Sequence, residues 1–361
     1  MREIDGVLRD WGEVASKGVV KAKKGRNIAG GAYVKPASKR NISATAARQK
    51  LIATVRKAPE VMVKISGGGK DMRSIKAHMD YISRNGEVEI EDEQGRIHQG
   101  KEEVRDVRDD WKGAGIPYEN GKRREAFNIV LSMPPGTDRT AVKDAARAFA
   151  SELFSNHQYV FAAHDDEKHP HVHLAVKAVD LDGVRLNPRK ADLQHWRETF
   201  AEKLREQGIE ANATPRQLRG VVKKADKQAV RHINKEHGKG RRKEPARVTE
   251  SQRKAVELEA KTGRKHINPA QDNISARRKQ VQHDFGTVAR ALVAGGREDQ
   301  QLALEIVQFI KQMPPVKTRH MEQVEALQRT TDQGGKGIER GQVKTKAQEQ
   351  QGQNRDTGPE R

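Results

Sequence analysis

Two apolar runs, YVFAAH at 159–164 and HVHLAVKAV at 171–179, flank a polar loop of six residues. A loop that short makes two such runs antiparallel neighbours in a sheet. Residues two apart on a strand share a face. His171 and His173 therefore project together, and His164, at the end of the facing strand, meets them. Three imidazoles converging from adjacent strands form an open metal site with positions left for water or substrate. Asp166 is placed to accept a ring N–H from one ligand and fix its tautomer. Pro170 stiffens the entry to the second strand. The competing readings are a solvated hairpin tip and a purely structural metal. A tip does not explain two same-face histidines inside an apolar strand. His169 has the other parity or lies in the loop and is left off the metal; His98, His157 and His195 are scattered and read as ordinary polar residues.

The surrounding pattern extends this pair into a domain. EVMVKIS (60–66) alternates as a strand. MRSIKAHMDYISRNG follows as a helix, with Met72, Ile75, Met79 and Ile82 on one stripe. Residues 87–100 alternate on both sides of a Gln-Gly pair and read as a hairpin. A polar helix is expected near 102–113. AFNIVLSM (126–133) reads as a buried strand. Thr137 or Asp138 can cap the helix TAVKDAARAFASELF. A further amphipathic helix, ADLQHWRETFAEKLREQG, stops at Gly208. About five strands with local hairpins and interleaved helices predict an α+β domain with an antiparallel sheet.

The expected organisation is a basic N-terminal arm over 1–58, with one helix near 43–57, and the domain over 59–222. A charge-dense linker with helical segments near 249–261, 276–294 and 299–312 then fills 223–312. The tail, 313–361, is nearly free of large apolar residues at its end and reads as disordered. Seventy Lys and Arg against fifty Asp and Glu give a formal charge of +20. That points to a polyanionic partner, nucleic acid first and an anionic membrane surface second. No cysteine is present, which excludes disulfides and thiolate metal sites. No apolar run of spanning length and no apolar signal core at the start are seen, so a cytoplasmic protein is expected.

Tyr81 lies nearly opposite the centre of the apolar stripe of its helix, on the face of Ser74, Ala77 and His78. A packing tyrosine belongs on the stripe, although a helix held between two layers buries both faces. A protein that cuts and later rejoins a strand needs a covalent intermediate, and a phenol suits that task. Its ordinary pKa near 10 makes it a poor nucleophile unaided; a metal on the scissile phosphate would stabilise the transition state.

HDDEKHPHVH resembles the three-histidine motif of conjugative relaxases, H-x-D-x-x-x-P-H-x-H. YISRNG is similar to the nucleophile motif of the branch that includes the T-DNA border endonucleases. NIVLSMPPGTD resembles that branch's second motif, and GIEANATPRQLRG the segment after its core. The resemblance covers about residues 60–220. It implies a single-tyrosine HUH nuclease with an antiparallel five-stranded sheet and flanking helices. Tyr81 would attack a DNA phosphate at an origin of transfer and keep the 5′ end. His164, His171 and His173 would hold a divalent metal, Mg²⁺ or Mn²⁺, with Asp166 orienting a histidine. Ser132 would bind the nick region. Arg84, Arg216 and Arg219 flank the motifs and would contact the DNA backbone. Lys177 stands where the family often has Asn; on the ligand face it would bring a cation near the phosphate. The implied partners are single-stranded DNA of the nick region, relaxosome accessory proteins and a type IV coupling protein, with passage through a secretion channel into a recipient cell. A rolling-circle replication initiator, a non-enzymatic DNA-binding mobilisation factor and a small-phosphoester hydrolase are the alternatives. A nucleophile placed before the histidines favours the relaxase over the first.

Overall fold

A computed structural model describes residues 2–17, 42–113, 115–221, 226–263 and 268–330. The chain packs as two units. The first comprises 1–219 and 282–312, the second 220–281 and 313–361.

The first unit is built on one sheet. Its strands are β1 (Met62–Gly67), β2 (Ile90–Asp92), β3 (Ile97–His98), β4 (Ala126–Ser132), β5 (Tyr159–His164) and β6 (His171–Lys177). The spatial order is β1-β4-β6-β5-β2-β3, with every neighbouring pair antiparallel. The sheet thus has six strands where five were expected. The sixth comes from the two short arms of the 87–100 hairpin: β2 pairs with β5 through Glu91 and Asp92. β6 ends at Lys177, sooner than the apolar run suggested, because Val179 turns back to bridge Arg185.

Register sorts the side chains into two faces. Phe127, Ile129, Leu131, Val172, Leu174, Val176 and Phe161 share one face, and α5 (Arg139–Leu153) and α6 (Lys190–Glu206) bury it with Phe149, Phe154, Trp196 and Phe200. Asp138 caps α5, its carboxylate accepting from the Ala141 N–H at 2.6 Å. On the other face, α3 (Met72–Ile82) and α4 (Gly100–Gly113) cover Ala126, Val160, Ala162 and Ala175. The small alanines let α3 approach the sheet closely. The apolar stripe Met72, Ile75, Met79 and Ile82 is buried, as the helical spacing predicted. Asp71 begins α3 through a reciprocal capping box with Ser74.

The N-terminal segment is less extended than its composition suggested. α1 (Arg2–Lys17) buries Leu8, Trp11 and Ala15, and Trp11 meets Phe285 with ring centroids 5.5 Å apart. The helix expected over 43–57 is α2 (Ala44–Val55), tied to α6 by Lys50 and Glu198 at 2.5 Å. Residues 18–41 lie outside the described residues.

The second unit is helical. α7 (Gln228–Gly238) lies inside the stretch read as linker, and α8 (Arg247–Thr262) follows. α9 (Gln271–Val293) runs from this unit into the first, where α10 (Arg297–Lys311) also packs. Residues 319–330, expected to be disordered, are helical and bury Val324; the remainder of that tail, 331–361, is outside the described residues. Among the described residues no helix is long and apolar enough to cross a membrane.

Candidate active site

The β5–β6 ladder sets His164 opposite His171 and Ala162 opposite His173. Directly opposed residues point to the same face, so the three imidazoles converge at one end of the sheet. Their ring centroids are 4.6 Å (His164–His173), 5.1 Å (His171–His173) and 5.3 Å (His164–His171) apart. One nitrogen of each lies within 4.8 Å of the others.

Hydrogen bonds fix which nitrogens are free. The His164 Nε2–H donates to the carbonyl of Ile82 at 2.7 Å, leaving Nδ1 with its lone pair. The His171 Nδ1–H donates to the carbonyl of His169 at 3.0 Å, leaving Nε2. His173 is buried, and its Nδ1 has no hydrogen-bond partner. An unsatisfied buried nitrogen is costly, and a cation shared with the two neighbouring lone pairs would satisfy it. Burial, and then the like charge of His164 and His171, push the His173 imidazole down to about 3. Burial also lowers His164, against the bond to Ile82. Both rings are therefore neutral at pH 7, as ligands must be. The residues fit a divalent metal. An all-nitrogen donor set suits Mn²⁺ or a later metal better than Mg²⁺.

Tyr81 hangs over this cluster from the last turn of α3. Its side chain is 51% exposed on a helix whose opposite face is buried. The ring centroid is 5.5 Å from that of His173 and 6.1 Å from that of His164. The Arg84 guanidinium covers the tyrosine ring at 5.2 Å, a cation–π contact. Arg84 also lies 3.5 Å from His164 Nδ1 and is paired with Asp166.

Asp166 therefore does not hold a ligand's tautomer as expected. Its carboxylate takes Arg84, and the ring N–H groups of His164 and His171 go to backbone carbonyls. Ser132 is brought in: it pairs with His171 across β4–β6, on the ligand face, and is buried. That face continues onto Asn128 and Val130, half-buried, and onto exposed Lys64 and Met62 of β1. Lys177 is not brought in. It shares the face, but four residues beyond His173 is about 13 Å along a strand, with the α3-covered Ala175 between. It is buried at the far end, its Nζ donating to Gln158 Oε1 at 2.8 Å. Arg219 is engaged by Glu60 at 3.2 Å and donates to the Thr214 carbonyl, fastening residues 214–219 to the start of β1. Arg216 beside it is half-buried.

Two residues of the site were not read from sequence. His78, one turn before Tyr81, stacks with the tyrosine at 6.2 Å and meets His173 at 6.4 Å. Its Nε2 is buried without a partner, and burial takes the imidazole down to about 4. The signal was present, since His78 shares Tyr81's helix face. Arg139, at the start of α5, clamps the histidine hairpin by donating to the carbonyls of His164 at 3.2 Å and Glu167 at 2.5 Å. Nothing local in the sequence links those positions.

An antiparallel sheet carrying three convergent histidines beneath a helix-borne tyrosine defines the class of this domain. Residues 81–209 match the family described as "Relaxase: MobA/VirD2-like, nuclease domain". The matched stretch resembles that relaxase family; it begins at Tyr81 and takes in Ser132 and all three histidines. The chain is 27% identical over 186 residues to the T-DNA border endonuclease VirD2 of Rhizobium radiobacter, covering 46% of this chain and 44% of that protein. It is 26% identical over 214 residues to the VirD2 of Agrobacterium fabrum, covering 53% and 48%. The chain thus spans about half the length of the curated relatives it matches.

Proposed function

We propose that the protein is a DNA relaxase that nicks one strand at an origin of transfer through a 5′-phosphotyrosyl intermediate and later reseals it. The carrying observation is the exposed Tyr81 ring set 5.5 Å from His173, over three histidines that each bring one ring nitrogen within 4.8 Å of the others.

In the forward step the Tyr81 phenol oxygen bonds to the scissile phosphorus, and the bond from phosphorus to the 3′ oxygen breaks. The phenol proton leaves and the departing 3′ oxygen gains one, so charge balances. The reverse step uses the same 3′-hydroxyl as nucleophile. His164, His171 and His173 would hold a divalent metal, which would supply electrostatic stabilisation of the phosphate. Arg84, above the tyrosine, adds a fixed positive charge where negative charge builds on the phosphate in the transition state. The less covered part of the ligand face, from half-buried Val130 to exposed Lys64 and Met62, gives the single strand a surface to lie on. Accessory proteins of the relaxosome, a coupling protein and export to a recipient cell extend the same reading.

The test is a labelled single-stranded oligonucleotide spanning the cognate nick site, incubated with Mn²⁺ or Mg²⁺. A covalent adduct mapping to the Tyr81 peptide is expected, abolished by Tyr81→Phe and by chelation. An undiminished adduct in Tyr81→Phe overturns the assignment.

A further inference from the structure

The second unit carries a feature that nicking does not use. α7 places Lys227, Arg231, Lys235 and Lys239 four residues apart, from its N-cap to its C-cap, and all four are exposed. Residues at that spacing stand one above another on a helix. The stripe is about 18 Å long at 1.5 Å per residue. Arg241, Arg242 and Lys243 extend it through the exposed loop to α8.

Helix stability does not account for this pattern. Like charges at i,i+4 repel. Cations at an N-terminus oppose the helix dipole, yet Lys227 sits at the N-cap, with no capping hydrogen bond and no acidic residue in the first turn. The dipole explains only Lys235 and Lys239. Nor do acidic neighbours neutralise the surface. Of the seven, Arg241 alone has an ion pair among the described residues, with Glu236 at 3.6 Å. By contrast, Arg253 and Lys254 on α8 are each paired one turn away, with Glu257 and Glu250.

The loop is also held in shape. The His237 ring donates to the Arg242 carbonyl at 3.1 Å, and the Arg241 N–H to the Glu236 carbonyl at 3.0 Å. Asn234 accepts from the Ala246 N–H at 3.0 Å and donates to Thr249 Oγ1 at 2.8 Å, pinning the start of α8 to α7. Gly240 makes the turn at φ +71°. The cations therefore stand on a fixed helix–loop–helix.

We infer that this surface binds the phosphate backbone of duplex DNA, as a contact separate from the tyrosine site. Duplex carries one charge per about 1.7 Å of axis, denser than a single strand, and a straight stripe of cations matches a stiff rod. Binding a single strand calls for aromatic side chains on which bases stack, and residues 226–263 contain no Phe, Tyr or Trp. A membrane surface calls for an apolar companion face, whereas Val230 and Ile233 of α7 are half-buried. The inference goes beyond the nicking reading and does not depend on it.

The experiment uses the full chain and a fluorescent 30-base-pair duplex of arbitrary sequence, with anisotropy read from 50 to 300 mM NaCl. Each phosphate contact adds about 0.9 to the slope of log K against log salt. Replacing Lys239, Arg242 and Lys243 by Gln should lower the slope by about 2.7 and weaken binding at least tenfold at 100 mM. The control replaces the α8 cations Arg253, Lys254 and Lys261 by Gln, for the same change in charge, and should leave the slope within one unit. Circular dichroism checks that both variants fold, and cleavage of a short single-stranded oligonucleotide should be unchanged in both. An unchanged slope in the first variant, an equal fall in the control, or a loss confined to anionic phosphatidylglycerol vesicles overturns the inference.

Discussion

His78 offers a measurable consequence of the way α3 meets the sheet. Its imidazole has an ordinary value of 6.5, and burial takes it down to about 4 in the folded chain. Above pH 6.5 the ring is neutral in both states and pH has no leverage through it. Between 6.5 and 4 the unfolded chain binds a proton there that the folded chain refuses. Stability supplied by the neutral ring is therefore lost as pH falls through that window. Each pKa unit is worth about 1.4 kcal/mol, so a drop from pH 8 to pH 5 spans roughly one and a half effective units, about 2 kcal/mol. The ring is only half-buried, and solvent screening brings this to about 1–2 kcal/mol. His78→Phe keeps a ring stacked on Tyr81 and removes the titration. The assay is urea unfolding with a chelator present, at pH 8 and pH 5. Tryptophan fluorescence suits it: Trp11, Trp111 and Trp196 are all buried in the first unit, and Trp111 packs in the α3 cluster. The variant should lose about 1–2 kcal/mol less than the parent between the two pH values. Parallel losses in the two proteins would refute the assignment of a depressed His78.

The other predictions concern the turn after Tyr81. Gly86→Ala should cost at least about 2 kcal/mol, read by thermal melting, because φ is +92° and a Cβ would sit 2.6 Å from the Gly100 carbonyl carbon; adduct yield should fall with it. Arg84→Ala should slow adduct formation ten- to a hundredfold, roughly the worth of one charge at a phosphate transition state, and Arg84→Lys should not restore it, since a lysine cannot cover the Tyr81 ring and hold Asp166 at once. Asp166→Asn should slow the same reaction less than Arg84→Ala, because no ligand tautomer depends on Asp166.

The site was legible in sequence where short-range periodicity carried it. His171 and His173 are two apart in an apolar strand, and a six-residue loop fixes the partner strand, so His164 follows from local geometry alone. Tyr81 could be read because it falls off the stripe that Met72, Ile75, Met79 and Ile82 define. What was not legible depends on contacts distant in the chain. Leu8 and Trp11 look like isolated apolar residues in a basic segment until Phe285 packs on Trp11 from 274 residues away. Lys177 has the right parity for the ligand face, but parity says nothing of distance along the strand. Asp166 and His169 went the other way: the acidic side chain looked like the orienting group, and the backbone carbonyl of His169 itself does that work. A sequence displays side chains, and backbone acceptors are the same at every position.

The stretch Tyr-Ile-Ser-Arg-Asn-Gly, 81–86, has a physical logic that follows from this point. A helix leaves its last carbonyls without intrahelical partners. α3 ends at Ile82, and the Ile82 carbonyl is the acceptor that fixes the tautomer of His164. Had the helix continued, that oxygen would turn to an amide four residues on, and His164 would lose the bond that keeps Nδ1 free. The ending is enforced by what comes next. Ser83 accepts the Gly86 N–H on its hydroxyl and again on its carbonyl, which also takes the Val88 N–H. Arg84 and Asn85 adopt left-handed φ values of 50° and 57°, a conformation unusual for residues with side chains. That sharp reversal carries the Arg84 guanidinium back over Tyr81 and toward Asp166. Gly86 passes against the backbone of Gly100 and Lys101, where no side chain fits. The helix end thus does three things with six residues: it presents the phenol, it sets the lone pair of a histidine beneath it, and it holds a cation above it. Stopping the helix one residue later would undo the second and displace the third, even with Tyr81, Arg84 and His164 all present.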